Sequence, residues 1–356
     1  MRETAELFAM EGSLLKCVPF GSGHINETWL AVTNQPHLYI LQKVNTETFR
    51  DPEGLMRNIH LVTEHLRKKD PDPRHVLTLV PLKDGREYML SGRKELWRMY
   101  EYITGGLCMD HAETPEDFRR SGEAFGDFQC RMADFPAEQL TETIPYFHDT
   151  PRRYEALRTA IREDACGRAK LVQPETDFLL ERESYADYLL ALLRSGDLPL
   201  RVTHNDTKLN NVMLDERTRR PLCILDLDTV MPGLAATDFG DSIRFGASTA
   251  DEDEQDLEKV HLDPVLYRAY SEGFLNACGA QLTATERETL PDGARMMTLE
   301  NAVRFLTDYL NGDTYFHIDR PEHNLDRTRT QIVLLREMEK EDAKIHRMIR
   351  EIKTGS

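Results

Sequence analysis

Residues 200–233, LRVTHNDTKLNNVMLDERTRRPLCILDLDTVMPG, constrain the fold more than any other stretch. They lie in a half of the chain that otherwise reads as helix, yet they consist of short apolar strands bracketing polar turns. The helical half must therefore accommodate β structure whose turns hold Asp206, Lys208, Asn211, Asp226 and Asp228. Isolated Asn and Asp residues ordinarily cap turns through their own side chains. Taken together, in this order and spacing, the two turns point beyond capping.

The rest of the chain divides around this element. The first hundred residues read as strands (LLKCVPF, ETWLAVT, LYILQKV, HVLTLV, EYML, ELWRMYEYI) around one helix, with Asp84-Gly85 as a tight turn. The helix, DPEGLMRNIHLVTEHLRKK, places Leu55, Ile59, Val62 and Leu66 on one face, with Pro52 near its start and basic residues at its end. After EYITGG the pattern turns helical. Thr114 precedes Pro115, and Phe118, Phe125, Phe128 and Met132 recur on one face. Further helix is expected over about 175–194 and from about 264 to 350. The expectation is an α+β protein of two lobes: residues 1–103, an antiparallel sheet with one main helix, and residues 104–356, larger and mostly helical.

Composition narrows the partners. With 45 Lys+Arg against 62 Asp+Glu, the net charge is −17, which argues against nucleic acid or an anionic membrane as a main partner. An anionic ligand must be held by a local cationic device. The N-terminal MRETAELFAMEG lacks a signal-peptide pattern and no run is long enough to span a bilayer, so a cytoplasmic protein is expected, monomeric or weakly homo-oligomeric. Six scattered cysteines suggest neither a zinc site nor a disulfide framework, and read as reduced core residues. The acidic run DEDEQDLEK, 251–259, reads as a solvated loop or helix start rather than a cation site.

The chemistry lies in HNDTKLNN and CILDLD. Carboxylates with an Asn amide oxygen form the hard-oxygen donor set that Mg²⁺ prefers, with room for nucleotide phosphates. Phosphoryl transfer needs metal charge, a cation on the phosphates and a carboxylate for the attacking hydroxyl. Asp206 fits the base, and Asn211 and Asp226 fit the metal ligands.

These loops resemble those of the protein-kinase-like phosphotransferases, in the aminoglycoside phosphotransferase and choline kinase branch. Within it, HNDTKLNNVMLD, LDLDTVMPG, DFGDSIRFGAS, YILQKVN and RFLTDYLNGDTYF together resemble the N-acetylhexosamine 1-kinases. The resemblance implies a two-lobed kinase-like fold, ATP and Mg²⁺ as cofactors, and a small-molecule sugar as acceptor. It implies Asp206 as catalytic base and Asn211 and Asp226 on the metal, with Lys208 near the transferring phosphate and His204 bracing the backbone. Asp228 is left between a second metal, the sugar and a hydrogen bond within its loop.

In the first lobe, FGSGHINET matches a turn over nucleotide phosphates, where Gly21 and Gly23 permit close backbone approach and Asn26 replaces a further glycine. Lys43 stands where such kinases bind the α- and β-phosphates, although without the downstream loops it reads as an edge-strand lysine. Its usual helix partner is Glu53 or Glu64. Backbone groups of Glu101, Tyr102 and Ile103 would pair with adenine. For the acceptor, His148, Asp149, Phe245, Arg304 and Tyr315 offer polar groups and aromatic faces suited to a hydroxyl-rich ring with an acetamido group. Arg304 and Asp308 also have the spacing of a helix ion pair. The implied product is the sugar 1-phosphate. Two alternatives stand beside it: a kinase of the same fold for an aminoglycoside, choline or another sugar, and a non-catalytic nucleotide- or sugar-binding protein.

Overall fold

A computed structural model of the chain describes residues 1–21, 25–92 and 95–354. The protein is α+β, as expected, and forms two compact units that are not two simple halves of the sequence. Unit 1 comprises Met1–Leu107 with two later segments, Glu138–Pro145 and Met213–Met231; unit 2 holds Cys108–Ala137, Tyr146–Val212 and Pro232–Ser356.

Unit 1 opens with a short helix, α1 (Arg2–Ala5), then β1 (Leu14–Pro19), β2 (Glu27–Thr33) and β3 (Leu38–Val44). Helix α2 (Pro52–Lys69) follows, then β4 (Tyr88–Leu90), β5 (Leu96–Glu101) and β6 (Gly106–Leu107). The sheet order is β1-β2-β3-β5-β4, with every neighbour antiparallel. HVLTLV does not form a strand of its own and joins β5 only through a bridge at Leu79 and the bonds around it. Alternation along the strands sends Trp29, Ala31, Tyr39, Leu41, Trp97 and Met99 to one core with Ala5, Phe8, Val80 and Leu82. The Trp29 and Trp97 rings stack there at 5.5 Å. Helix α2 is stopped and started as its sequence dictates: Asp51 accepts from Gly54 N–H, Pro52 opens the first turn, and Arg67–Lys69 close the last. Its Asn58, fully buried, donates to the carbonyls of Thr141 and Val230 and so ties both later segments into the unit.

Unit 2 is built from helices: α3 (Pro115–Met132), α4 (Thr150–Glu163), α5 (Gln173–Leu180) and α6 (Tyr188–Ser195). The expected helix over 175–194 is thus two helices. The interrupting β stretch then supplies β7 (Arg201–Thr203), and its later part gives unit 1 the strands β8 (Val212–Asp215) and β9 (Pro221–Ile224), which join β6 there in a three-stranded sheet, Leu214 and Asp215 facing Leu107 and Gly106. Helices α7 (Ala235–Gly246), α8 (Pro264–Cys278), α9 (Ala284–Leu310) and α10 (His323–Glu351) complete the chain. Thr114 caps α3 reciprocally with Asp117, and Phe118, Phe125, Phe128 and Met132 are all buried. The backbones of α7 and α9 touch: a Cβ at Gly293 would lie 1.9 Å from the Ala236 carbonyl oxygen, and one at Gly240 would lie 2.2 Å from that of Gly293. Only glycine permits this approach, which holds α7 in place for the chemistry below.

None of the six cysteines is in a disulfide, but only Cys223 and Cys278 are buried, so the expectation of six core residues holds for two. Among the described residues no helix is long and apolar enough to cross a membrane.

Candidate active site

In unit 2 the turn after β7 carries Asp206. Its backbone is fixed by a carboxylate that the sequence reading did not assign, Asp238 in the first turn of α7. Asp238 accepts from the N–H groups of His204 and Asn205, each at 2.8 Å, and from the Gln129 side-chain amide of α3 at 2.8 Å. Gln129 also donates to the Val202 carbonyl at 3.0 Å. The next turn of α7 continues the clamp, with Asp241 accepting from Thr207 N–H at 3.0 Å and Ser242 donating to the Thr207 carbonyl at 2.7 Å. These bonds hold Asn205 in the left-handed region, φ +63°, immediately before Asp206. Burial pushes the Asp238 carboxyl above the ordinary aspartate value, against the pull of its donors.

The structure brings Asp206, Lys208 and Asn211 together. Lys208 Nζ lies 3.1 Å from Asp206 Oδ1, and Asn211 Nδ2 donates to Asp206 Oδ2 at 2.9 Å and to its carbonyl at 2.8 Å. The Asn211 amide nitrogen is thereby committed to Asp206. Burial raises the Asp206 carboxyl, but Lys208, His204 and the two side-chain hydrogen bonds outweigh it and hold the group below the ordinary aspartate value. Asp206, opposed by burial, pushes the Lys208 ammonium up, with Asp241 and Glu252 adding to it. The ammonium also sits 5.9 Å from the centre of the Phe245 ring.

A buried ion network backs this turn. Arg244, 5% exposed, bonds Asp241 at 3.1 Å and pairs with Glu252. The acidic run is in part the expected solvated segment, with Asp251, Asp256 and Glu258 exposed and Asp256 capping the turn Leu257–Lys259, but its start is tied down: Asp253 is bound by Arg320 at 2.9 Å, and Thr330 donates to the Glu252 carbonyl at 2.5 Å. Among the described residues no group of three or more His, Cys, Asp or Glu gathers as a metal cage. Burial raises the Glu252 carboxyl, but Arg244 and Lys208 outweigh it and leave it below the ordinary glutamate value. A depressed carboxylate stabilises the fold above its unfolded-state pKa, and that stability is lost as pH falls through the folded value. Glu252→Gln is therefore expected to cost about 1–3 kcal/mol near neutral pH. In urea melts the gap to the parent protein should narrow as the pH is lowered below the ordinary glutamate range; a gap independent of pH would contradict the pairing.

In unit 1, Asp226 follows β9 with φ +53°, again left-handed, and Asp228 lies in the single turn Leu227–Thr229. The Asp228 side chain bonds beyond its own loop: one carboxylate oxygen pairs with Arg98 and the other accepts from Asn26 Nδ2 at 2.7 Å. Arg98 in turn donates twice to Gln42 Oε1, at 3.0 and 2.8 Å.

Lys43 stands elsewhere. The pairing of β3 with β5 sets Gln42 opposite Arg98 and Lys43 opposite Trp97, so Lys43 points to the other face of the sheet. Its partners are Glu95 at 3.0 Å and Glu27 at 3.6 Å, and the ammonium lies 5.9 Å from the Trp97 ring centre. Neither expected helix glutamate holds it; Glu64 pairs with Lys68 at 3.7 Å and Glu53 lies in the first turn of α2. Gly21 has φ +78° with open space around its missing side chain, whereas Gly23 lies outside the described residues. In the connector, the N–H of Glu101 bonds the Thr78 carbonyl at 2.9 Å and that of Tyr102 bonds the Leu38 carbonyl at 3.0 Å. Of the backbone groups expected to meet adenine, the N–H groups of Glu101 and Tyr102 are thus engaged within the unit. The Tyr102 ring meets Phe20 edge-on at 6.0 Å.

The expected acceptor residues lie in unit 2. Arg304 does not pair with Asp308. Asp308 instead gathers the N–H groups of Thr314, Tyr315 and Phe316 and the Asn324 amide, and so shapes the loop bearing Tyr315. The Arg304 guanidinium lies within 5.4–6.0 Å of the Phe147, Tyr315 and Phe316 ring centres and donates to Asn301 at 3.3 Å. His148 Nδ1 meets Glu300 at 2.9 Å, and Thr150 donates to the same carboxylate at 2.7 Å. Asp149 caps α4 by accepting from Arg152 N–H at 3.2 Å.

Sequence reasoning missed Asp238, Asp241, Arg244, Glu252, Glu300, Gln42 and Arg98. A signal existed for the first three: DFGDSIRFG places three charges on an otherwise apolar helix. Among solved structures the fold is similar to a microcompartment-associated aminopropanol kinase, at 15% identity and TM-score 0.57, covering 97% of each chain. It is also similar to an amicoumacin kinase in complex with AMP-PNP, Ca²⁺ and Ami, at 16% identity and TM-score 0.61, covering 93% of this chain and 91% of that one. A Plasmodium vivax ethanolamine kinase is similar at 12% identity and TM-score 0.58, with 92% and 84% covered. Residues 16–272 match the model of a protein family.

Proposed function

Because that match makes the chain a member of the Phosphotransferase enzyme family, we propose that it transfers the γ-phosphoryl group of ATP to the anomeric hydroxyl of an N-acetylhexosamine, N-acetylglucosamine or N-acetylgalactosamine. The product is the sugar 1-phosphate. The observation that carries the acceptor class is the surroundings of Arg304. The carboxylates near it in sequence or contact are engaged: Glu300 by His148 and Thr150, Asp149 by the start of α4, and Asp308 by three backbone N–H groups. An acceptor carrying ammonium groups would meet the Arg304 guanidinium beside carboxylates already bonded to other donors. A neutral ring with hydroxyl and acetamido groups offers acceptors to Arg304 and a face to Tyr315, Phe147 and Phe316.

The donor types suit Mg²⁺ bound together with nucleotide phosphates, since Asn211 in unit 2 carries an amide oxygen, Asp226 in unit 1 is a carboxylate, and magnesium keeps few protein ligands. When bound, the ion would neutralise phosphate charge. Asp206 orients the acceptor hydroxyl and receives its proton. Lys208 and Asn211 keep its carboxylate ionised and fixed, which makes it a weak base. A loose transition state and an acidic anomeric hydroxyl ask for no stronger one. Lys208, bound to Asp206, keeps positive charge beside the point of transfer.

The test is ³¹P NMR with Mg-ATP and, in turn, N-acetylglucosamine, N-acetylgalactosamine, glucose, galactose, ethanolamine and an aminoglycoside. A phosphomonoester signal coupled to the anomeric proton of an N-acetylhexosamine is expected. A product only with ethanolamine or the aminoglycoside would move the activity to another acceptor, and no product from any would favour a non-catalytic binding protein.

A further inference from the structure

We propose that Arg98, rather than Lys43, is the cation on which metal–nucleotide binding in unit 1 depends, and that it acts as a positioning residue by locking the turn that carries Asp226. The inference rests on the phosphotransferase reading of the site.

Four observations carry it. Arg98 and Asp228 are 1% and 2% exposed, whereas the Lys43 side chain is 30% exposed and engaged by two glutamates. The guanidinium uses its fork in two directions, Nη1 to Asp228 and Nε with Nη2 to Gln42 Oε1, a geometry that an ammonium does not reproduce. The second Asp228 oxygen takes Asn26 Nδ2, while Asn26 Oδ1 accepts from Asn45 N–H at 3.0 Å and the Asp228 carbonyl accepts from Thr143 at 3.1 Å. The turn is therefore held from β3, β5, the residue before β2 and the segment Glu138–Pro145. Finally, Asp226, two residues before Asp228, sits at φ +53°, a backbone state that persists only where the surroundings impose it. Without Arg98, a buried carboxylate loses its counter-charge, the turn relaxes, and Asp226 leaves its imposed conformation.

The consequence is selective for the metal. Partners that orient a metal ligand ordinarily contribute about 10- to 100-fold in metal affinity. We therefore expect Arg98→Lys to weaken binding of Mg-ADP by about that factor in calorimetric titrations, while metal-free ADP binds as it does to the parent protein. A Mn²⁺-ADP titration followed by electron paramagnetic resonance should show the same loss. Because the single variant leaves Asp228 poorly paired, Arg98→Met/Asp228→Asn removes both buried charges and serves as the folded companion; it should melt close to the parent protein and still show the metal-specific loss. Parent-like Mg-ADP affinity in Arg98→Lys would overturn the assignment. So would equal weakening of ADP with and without metal, or loss in Lys43→Met with retention in Arg98→Lys. If the parent protein itself takes up no Mg-ADP, the phosphotransferase reading falls, and this assignment falls with it.

Discussion

Asp206→Asn is expected to lower turnover by about 10²- to 10⁴-fold while leaving the affinity for metal-free ADP close to that of the parent protein. The substitution keeps size and shape at a side chain that is 29% exposed, so the fold should be little disturbed. What it removes is the proton acceptor and the negative charge that holds Lys208 at 3.1 Å and helps orient Asn211. The backbone groups expected to meet adenine, in the connector, belong to unit 1. Steady-state kinetics with the acceptor found by ³¹P NMR, together with calorimetric titration of metal-free ADP, check both halves of the expectation. Turnover equal to the parent protein would remove Asp206 from the mechanism.

The second large effect is expected at a residue that touches no substrate. Asp238→Asn should destabilise the protein by about 2–3 kcal/mol and reduce turnover together with stability. The carboxylate serves three N–H donors: His204 and Gln129 share Oδ2, and Asn205 donates to Oδ1. An Asn side chain retains one acceptor oxygen and turns an amide nitrogen toward the remaining donor. A buried N–H is then left without an acceptor, and nothing holds Asn205 in its left-handed conformation beside Asp206. Urea unfolding and kcat measured on the same preparation test this. Unchanged stability would show that the turn does not depend on Asp238.

Comparison of residues shows which parts of the site sequence can disclose. Asp206, Lys208 and Asn211 sit within one short turn, so their spacing alone brought them within reach, and the structure has them bonded to one another. Along a strand, spacing resolves less, because side chains reverse at every residue: a displacement of one position puts Gln42 beside Arg98 and Lys43 beside Trp97. Arg304 and Asp308 have helix-pair spacing, yet Asp308 is drawn off by the N–H groups of the following loop. Local spacing names candidate partners, and competition from donors elsewhere decides among them.

The sequence by itself determined the class of elements and their ends. Alternating strands, the Thr114 and Pro115 start of α3, the Asp51 and Pro52 start of α2, and the polar turns within the β stretch all depend on neighbours a few residues apart. Those interactions are local, so pattern and propensity suffice to find them. Only the tertiary structure decided which charges are buried together. Arg98 meets Asp228 across 130 positions, Gln129 meets Asp238 across 109, and Asn58 meets Val230 across 172. A buried polar group must find a partner wherever the packed backbone supplies one, and that requirement acts through space, so sequence separation carries no trace of it.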